Sequence, residues 1–342
     1  MPILDLAADT ALVFGGEESG PASFYQVRPA LVDVDQEGLI YVLDRIQHQV
    51  SVFAPVGHLV ATWGRRGEGP GELSAPLSVT ASNGTATVHD AGRALFVSYA
   101  ADGEIVERSA PPSVIHMWFG HVQALPDRLA FWDRDVFTVT ENRRDRLLSV
   151  RGADTVSLVE SRPAYSSTAY HPRCGARFTI AMPLSPHIHW SQWENRVVVV
   201  AGPDFQVDWF DGARLVRRST FGESAPELSA REVVALLEAR GVRGPCNSNP
   251  REYIQRHGYF PKPQAVSAVT LHPNGGLWVR HEDLSGNDRI VVFDSTAAPV
   301  GVLTAEFPMP IVFLPDGRAL IQVVDSVDVE RIGILDMIPG EG

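Results

Sequence analysis

Lysine is almost absent from this sequence. Arginine and lysine together number 29 against 41 acidic residues, the formal net charge is −12, and the single lysine is Lys262. A nucleic-acid-binding surface needs basic side chains clustered on one face of the protein. The composition therefore argues against a nucleic-acid partner.

Long apolar runs and a charged leader are also missing. No stretch approaches the roughly 18 apolar residues of a membrane span, and Met1 and Pro2 lead directly into a predicted strand. We expect no transmembrane segment in the chain. Two locations stay open, the cytoplasm if Met1 is the native start, and the periplasm or the exterior if a leader was trimmed.

Cysteine is scarce, with two residues in the whole chain, Cys174 and Cys246. Each lies in one of two long segments that interrupt a repeating pattern. If both segments lie on the same face of the fold, a Cys174–Cys246 disulfide can form, which suits an oxidising compartment. The alternative is two unrelated free thiols, and the sequence alone does not fix the pairing.

The pattern that these segments interrupt is a strand-turn-strand repeat. Its first copy comprises Val32–Asp35, Gly38–Asp44, Val50–Phe53 and Gly57–Gly64. Each segment is apolar or alternating, and Gly, Asp, Asn and Pro at the breaks provide turn geometry. Four such strands predict one antiparallel sheet.

Six copies of the repeat can be counted along the chain. Their first turns fall at Gly38, Asn83-Gly84, Pro126-Asp127, Glu194-Asn195, Asn274-Gly275 and Asp316-Gly317, and neighbouring turns lie 42 to 46 residues apart except across the two long insertions. Periods of roughly 40–50 residues are typical of propeller blades. We therefore predict an all-β fold, a six-bladed β-propeller with four-stranded antiparallel blades that forms a single domain over residues 1–342.

The N-terminal segment, residues 1–15, has no inner strands of its own. Its Phe14-Gly15 ending matches Trp63-Gly64, where the outermost strand of the first blade ends. We expect this segment to provide the closing outer strand of the last blade, which would leave no free sheet edge where the ring closes.

The chain resembles bacterial six-bladed propellers of the NHL-repeat type. The resemblance rests on Gly38–Asp44, Val50–Phe53, the Gly64–Leu73 loop, Asp208–Val216 and Gly276–Arg280. It implies the fold over nearly the whole chain, but such propellers serve as scaffolds, ligand binders, lyases and hydrolases. Function must therefore be argued from a site.

The insertion at residues 229–258 predicts a small helical hairpin between blades four and five. Ser229 and Glu232 form a capping-box pattern before an apolar run that stops at Gly241. Asn249 and Pro250 suit the start of a second helix, which Gly258 would end. Elements that protrude from a rigid scaffold are places where partners dock.

The insertion at residues 162–185 predicts a loop rich in aromatic and arginine side chains. Long loops in compact domains are commonly functional, and tyrosine and arginine are enriched at interface hot spots. The candidate partner-binding residues are Tyr165, Tyr170, Arg173 and Arg177.

A pair of histidines, His187 and His189, offers an enzymatic alternative. They stand two residues apart at the start of the fourth blade and could hold a metal at the channel mouth. No third ligand lies at a diagnostic spacing, the Gly64–Gly71 loop lacks the Lys-Ser/Thr pair of a P-loop, and no Gly-x-Ser-x-Gly motif is present.

The sequence thus favours a non-catalytic interaction or scaffold protein without a cofactor. Its partner would be another protein or a multisubunit complex, which it would join as an accessory subunit, including an assembly in a membrane. The alternative is a metal-assisted lyase or hydrolase acting at the channel mouth.

Overall fold

Each predicted repeat forms one antiparallel sheet in the computed structural model. The model describes residue 4 and residues 6–15, 24–110, 122–125, 128–134, 145–151, 154–161, 165–171, 175–185, 187–201, 203–221, 226–282, 288–304, 306–326 and 328–339. Within these residues there are six four-stranded sheets and one two-stranded sheet. The prediction of a six-bladed propeller is confirmed.

The N-terminal strand, β1 (Leu6–Phe14), belongs to the last blade, and the first two complete blades follow it along the chain. Blade one contains β2 (Val32–Val34), β3 (Ile40–Asp44), β4 (Gln49–Phe53) and β5 (Leu59–Trp63), and blade two contains β6 (Pro76–Ser82), β7 (Thr85–Asp90), β8 (Leu95–Ala100) and β9 (Ile105–Ser109).

Blade three is followed by the two-stranded sheet and then by blade four. Blade three contains β10 (Val122–Leu125), β11 (Arg128–Arg134), β12 (Asp145–Arg151) and β13 (Asp154–Ser161), the small sheet pairs β14 (Tyr165–His171) with β15 (Ala176–Ala181), and blade four contains β16 (His189–Trp193), β17 (Arg196–Ala201), β18 (Gln206–Asp211) and β19 (Arg214–Thr220).

Two helices, α1 (Ala230–Ala239) and α2 (Pro250–His257), separate blades four and five, with a 3₁₀ turn at Pro245–Asn247 between them. Blade five contains β20 (Val266–Leu271), β21 (Leu277–His281), β22 (Arg289–Phe293) and β23 (Pro299–Thr304), and blade six contains β24 (Val312–Phe313), β25 (Ala319–Val324), β26 (Glu330–Pro339) and β1.

Strand composition follows position within a blade. The second strand of blade one, β3, is buried at every residue, whereas the outermost strand of blade four, β19, is exposed at nearly every residue. A strand covered by neighbouring blades on both faces can be continuously apolar, whereas an outer strand meets water. The apolar pattern of a strand therefore indicates whether the strand lies inside a blade or at its outer edge.

Apolar side chains fill the space between each pair of adjacent blades. Among the described residues, six separate buried clusters each combine residues of two neighbouring blades, and the cluster between blades six and one joins Leu320 and Ile334 to Ile40 and Phe53. The apolar contacts thus run around the whole ring.

The N-terminal strand β1 is the outer strand of blade six. It pairs antiparallel with β26 from Leu6 opposite Pro339 to Phe14 opposite Ile332. Behind it, the backbone N–H of Val27 and the guanidinium of Arg28 both donate to the carboxylate of Glu330, at 2.6 and 2.9 Å. Both chain ends therefore contribute to one sheet.

Polar bonds between innermost strands connect several blades. Asp33 in β2 accepts hydrogen bonds from Thr80 Oγ1 and Ala81 N in β6, at 2.8 and 2.9 Å. Ser191 Oγ accepts from Leu271 N at 2.9 Å, which joins blade four to blade five. These bonds fix the innermost strands next to each other around the channel.

Residues 162–185 differ from the irregular loop that the sequence predicts. Tyr165–His171 and Ala176–Ala181 pair as antiparallel strands with an irregularity between Ser166 and Ala169. Tyr, Thr, Phe and Ile in these segments have high strand propensity, although the interrupted register hides the alternation by which strands are detected. The prediction of a loop is therefore wrong for these two segments.

Candidate functional site

The two insertions leave the propeller on the same face. In an antiparallel blade, successive connections alternate between the two faces of the ring. The connection from one blade to the next therefore lies with the turn between second and third strands, and the first and third turns lie opposite. We call the face with the blade-to-blade connections the insertion face, because β14, β15 and the two helices all belong to such connections. We call the face with the first and third turns the turn face.

The helix ends follow the predicted capping chemistry. The Ser229 hydroxyl accepts a hydrogen bond from Glu232 N, and the Glu232 carboxylate accepts hydrogen bonds from Ser229 N at 2.8 Å and from the Ser229 hydroxyl at 2.6 Å. These bonds, first the one from the Ser229 hydroxyl, lower the pKa of Glu232. Asn249 caps α2 through Glu252 N at 2.8 Å, and Pro250 occupies its first turn. Both capping predictions are confirmed.

The insertions pack against each other. Val233 and Leu237 of α1 and Ile254 of α2 form a buried cluster, and Leu184 from the first insertion packs against it. The backbone N–H of Phe260 donates to Pro183 O at 2.9 Å, which joins the same two segments. We call residues 165–171, 175–185 and 226–265 together the insertion unit.

Polar contacts fasten the insertion unit to blades four and five. Lys262, the single lysine, forms an ion pair with Asp204 in the second turn of blade four at 2.7 Å. Arg240, at the end of α1, lies 3.8 Å from Glu282, which follows β21. These two ion pairs hold the unit against blades four and five.

The predicted partner-binding residues belong to the insertion unit wherever they are described. Tyr170 in β14 lies directly opposite Arg177 in β15, and Tyr165 lies opposite Ala181 at the other end of the small sheet. Arg173 lies outside the described residues. The backbone therefore places Tyr170 beside Arg177, and the binding role of all four residues stays a prediction.

Cys246, in the 3₁₀ turn between the two helices, is disulfide-bonded. Cys174 is the other cysteine of the chain and lies outside the described residues. The pairing of Cys174 with Cys246 stays a prediction. It is consistent with the contacts that bring the two insertions together at Pro183 and Leu184.

The candidate metal ligands His187 and His189 lie at the start of the first strand of blade four, on the insertion face. His187 is exposed, and its backbone N–H donates to Gln264 Oε1 at 2.6 Å. Burial, and secondarily the nearby His187, lowers the pKa of His189 to about 4. His189 is therefore neutral at physiological pH.

A third ligand is not supplied by the part of the chain that the structure describes, where no three His, Cys, Asp or Glu side chains come together. His272, which follows the first strand of blade five, lies on the turn face against Phe313. It is thus at the opposite end of the channel from His189.

No helix in the described ranges is long and apolar enough to cross a membrane. No protein-family model matches the chain, and no curated protein matches it either.

Several solved structures resemble this chain over nearly their whole length. One is a member of the DUF4221 family from Bacteroides vulgatus, which is 8% identical in sequence with a TM-score of 0.59. The match covers 99% of this chain and 99% of the other. Another, a predicted exported protein from Bacteroides fragilis, is 12% identical with a TM-score of 0.55 and covers 98% of this chain and 96% of its own. At these identities the likeness shows the fold, which is that of a six-bladed propeller.

Proposed function

We propose that the protein is a non-catalytic interaction or scaffold protein whose partner, another protein, docks on the insertion unit. The observation that supports this most directly is the joint packing of Leu184 with Val233, Leu237 and Ile254. Two segments that are distant in sequence, neither needed to close a blade, form one cluster on one face.

Attachment to the ring makes this unit suitable for binding. The Lys262–Asp204 and Arg240–Glu282 contacts hold it against blades four and five. A surface already held in one arrangement loses less conformational freedom on binding than a free loop does. Tyr170 and Arg177, opposite each other in the small sheet, belong to the residue types enriched in hot spots.

The finer assignments are part of the same proposal. The repeat pattern at Gly38–Asp44 and Gly276–Arg280 supports a propeller of the NHL-repeat type, acting as an accessory subunit of a larger assembly. The disulfide of Cys246 supports an oxidising compartment, because disulfides persist there and are rare in the cytosol.

The test is to replace Tyr170 and Arg173 together by alanine and to compare the proteins that co-purify from the native source. We expect a binding loss of about 2 kcal/mol or more for a true hot spot, with an unchanged melting curve. The matched control replaces exposed Val56 and Arg214, both at third turns on the turn face. An unchanged set of partners in the first variant would contradict docking through this sheet.

A further inference from the structure

A pocket with a volume of about 580 Å³ lies on the turn face between blades four and five. The wall from blade four includes its first turn, the end of β18 and the start of β19, and the facing wall includes Gly275 and Ser295 of blade five. Pockets that hold small molecules typically span ~300–1,000 Å³. Because first and third turns build this site, it lies on the opposite face from the insertion unit.

Two arginines of blade four reach across this pocket to blade five. Arg196 Nη2 donates to the carbonyl of Pro273 at 2.7 Å, and Arg217 Nη1 donates to the carbonyl of Thr296. A guanidinium has five N–H donors, so each arginine keeps most of its donors for another partner. Neither forms an ion pair within the described ranges, unlike Arg218, which pairs with Asp208 at 2.7 Å.

Gly275 allows the close approach of Arg196. A Cβ atom at this position would lie 2.5 Å from Arg196 Nη1, and the φ angle of Gly275 is +90°. Glycine adopts this conformation without the steric cost of a side chain. The turn of blade five is therefore shaped to fit the guanidinium.

Two carboxylates line the same pocket, those of Glu194 and Asp211. Asp211 accepts a hydrogen bond from the amide of Asn195. Neither carboxylate is in an ion pair in the part of the chain that the structure describes. Two positive and two negative groups thus line one cavity without forming ion pairs with each other, and the Asp294 carboxylate, next to Ser295, also lies within electrostatic reach of Arg217.

The remaining wall is largely apolar. Trp209 and Val216 contribute to it, and Val216 is 50% exposed. The indole Nε1 of Trp209 is buried and has no hydrogen-bond partner among the described protein atoms. Because this nitrogen is shielded from solvent, Trp209 and Val216 offer a ligand in the pocket apolar surface only.

We propose that this pocket binds a small zwitterion with an apolar side chain, of the class of a free α-amino acid. The ligand carboxylate would accept from Arg196 and Arg217, since arginine presents paired donors that match a carboxylate. Its ammonium group would face Glu194 and Asp211. Its side chain would lie against Trp209 and Val216.

The experiment titrates the full chain with L-phenylalanine as the probe, followed by calorimetry. We expect binding at millimolar concentration or below. The Arg217→Gln and Glu194→Gln variants should each bind about tenfold more weakly or worse, because each removes a charge-assisted contact. Arg214→Gln is the matched control, since Arg214 is exposed in the same strand as Arg217 and does not line the pocket.

Two ligand analogues separate the zwitterion from simpler ligands. N-acetyl-L-phenylalanine lacks the positive charge and L-phenylalaninamide lacks the negative one, and each should bind about tenfold more weakly or worse. Equal binding of either analogue would overturn the proposal, as would unchanged affinity in Arg217→Gln. Failure of L-phenylalanine to bind the wild-type chain at millimolar concentration would overturn it as well.

Discussion

Asp33 is a buried carboxylate that connects two blades. Its Oδ2 accepts from Thr80 Oγ1 and Ala81 N, and its Oδ1 accepts from Val34 N at 2.9 Å. Burial raises the pKa of Asp33 to about 6, and the three hydrogen bonds only partly oppose this effect. The residue is therefore both a structural contact and a titrating group.

The raised pKa of Asp33 determines how this residue makes the free energy of unfolding depend on pH. Between about pH 4 and pH 6 the folded state retains the Asp33 proton more than the unfolded state does, because the folded pKa is about 6 and the ordinary value is 3.8. The contribution of this group to the free energy of unfolding therefore falls as pH rises through that window. It is most favourable below about pH 4.

We predict that Asp33→Asn lowers the free energy of unfolding at neutral pH by roughly 1–3 kcal/mol, because the new amide nitrogen must face backbone or hydroxyl donors. The variant should also lose the part of the pH dependence between about pH 4 and pH 6 that Asp33 contributes. Urea unfolding at several pH values measures both effects. Asp102→Asn is the control, because Asp102 is exposed and its bond to Glu104 N can be kept by asparagine.

At the scale of elements, the insertion unit has its own small core. Leu237 of α1 is 4% exposed and forms a cluster with Ile254 of α2, against which Leu184 packs. We predict that Leu237→Ala destabilises this unit by roughly 2–5 kcal/mol through lost burial and a residual cavity. Hydrogen exchange of α1 and α2 should accelerate while the amides of β17 in blade four keep their protection.

The neighbouring residue provides a matched control for this prediction. Glu238 is exposed in the same helix, so Glu238→Ala should change stability by no more than about 0.5 kcal/mol. If Leu237→Ala accelerated exchange equally in β17, the insertion and the ring would unfold as a single unit. The insertion could then not be altered separately from the scaffold.

Local signals explain which elements the sequence predicts. Ser229 with Glu232, and Asn249 with Pro250, mark both helix starts because a cap involves residues that are close in sequence. The contact between Leu184 and Ile254 has no such signal, since it joins two separate insertions. The strand at Tyr165–His171 has no clear signal in the sequence, because its pairing with β15 is irregular between Ser166 and Ala169.

At the scale of the whole molecule, the repeat period predicts the ring, whereas the proposed ligand pocket has no sequence signature. Arg196 and Gly275 lie in different blades, and their closeness depends on how those blades pack. In the sequence, Glu194 and Asn195 indicate a turn and nothing more. Spacing along the chain thus predicts the scaffold, and packing between blades determines the chemistry at its surface.

Closure of the ring can be tested with two adjacent residues of β1. Phe14 is 9% exposed and its ring centroid lies 4.8 Å from that of Phe53 in blade one, whereas Val13 is 42% exposed. Successive strand residues point to opposite faces, so Phe14 joins the cluster between blades six and one and Val13 does not. We predict that Phe14→Ala lowers the free energy of unfolding by roughly 3–5 kcal/mol.

Val13→Ala, in the same strand and pairing with the same β26, should change that free energy by about 0.5 kcal/mol or less. Because β1 covers the edge of β26, removing residues 3–14 should further lower the melting temperature and expose an unpaired edge that favours aggregation. Thermal unfolding and light scattering of the three variants measure these effects. Equal stability of Phe14→Ala and Val13→Ala, with a truncated chain that melts like the wild type, would mean that the blade-six sheet is stable without its N-terminal strand.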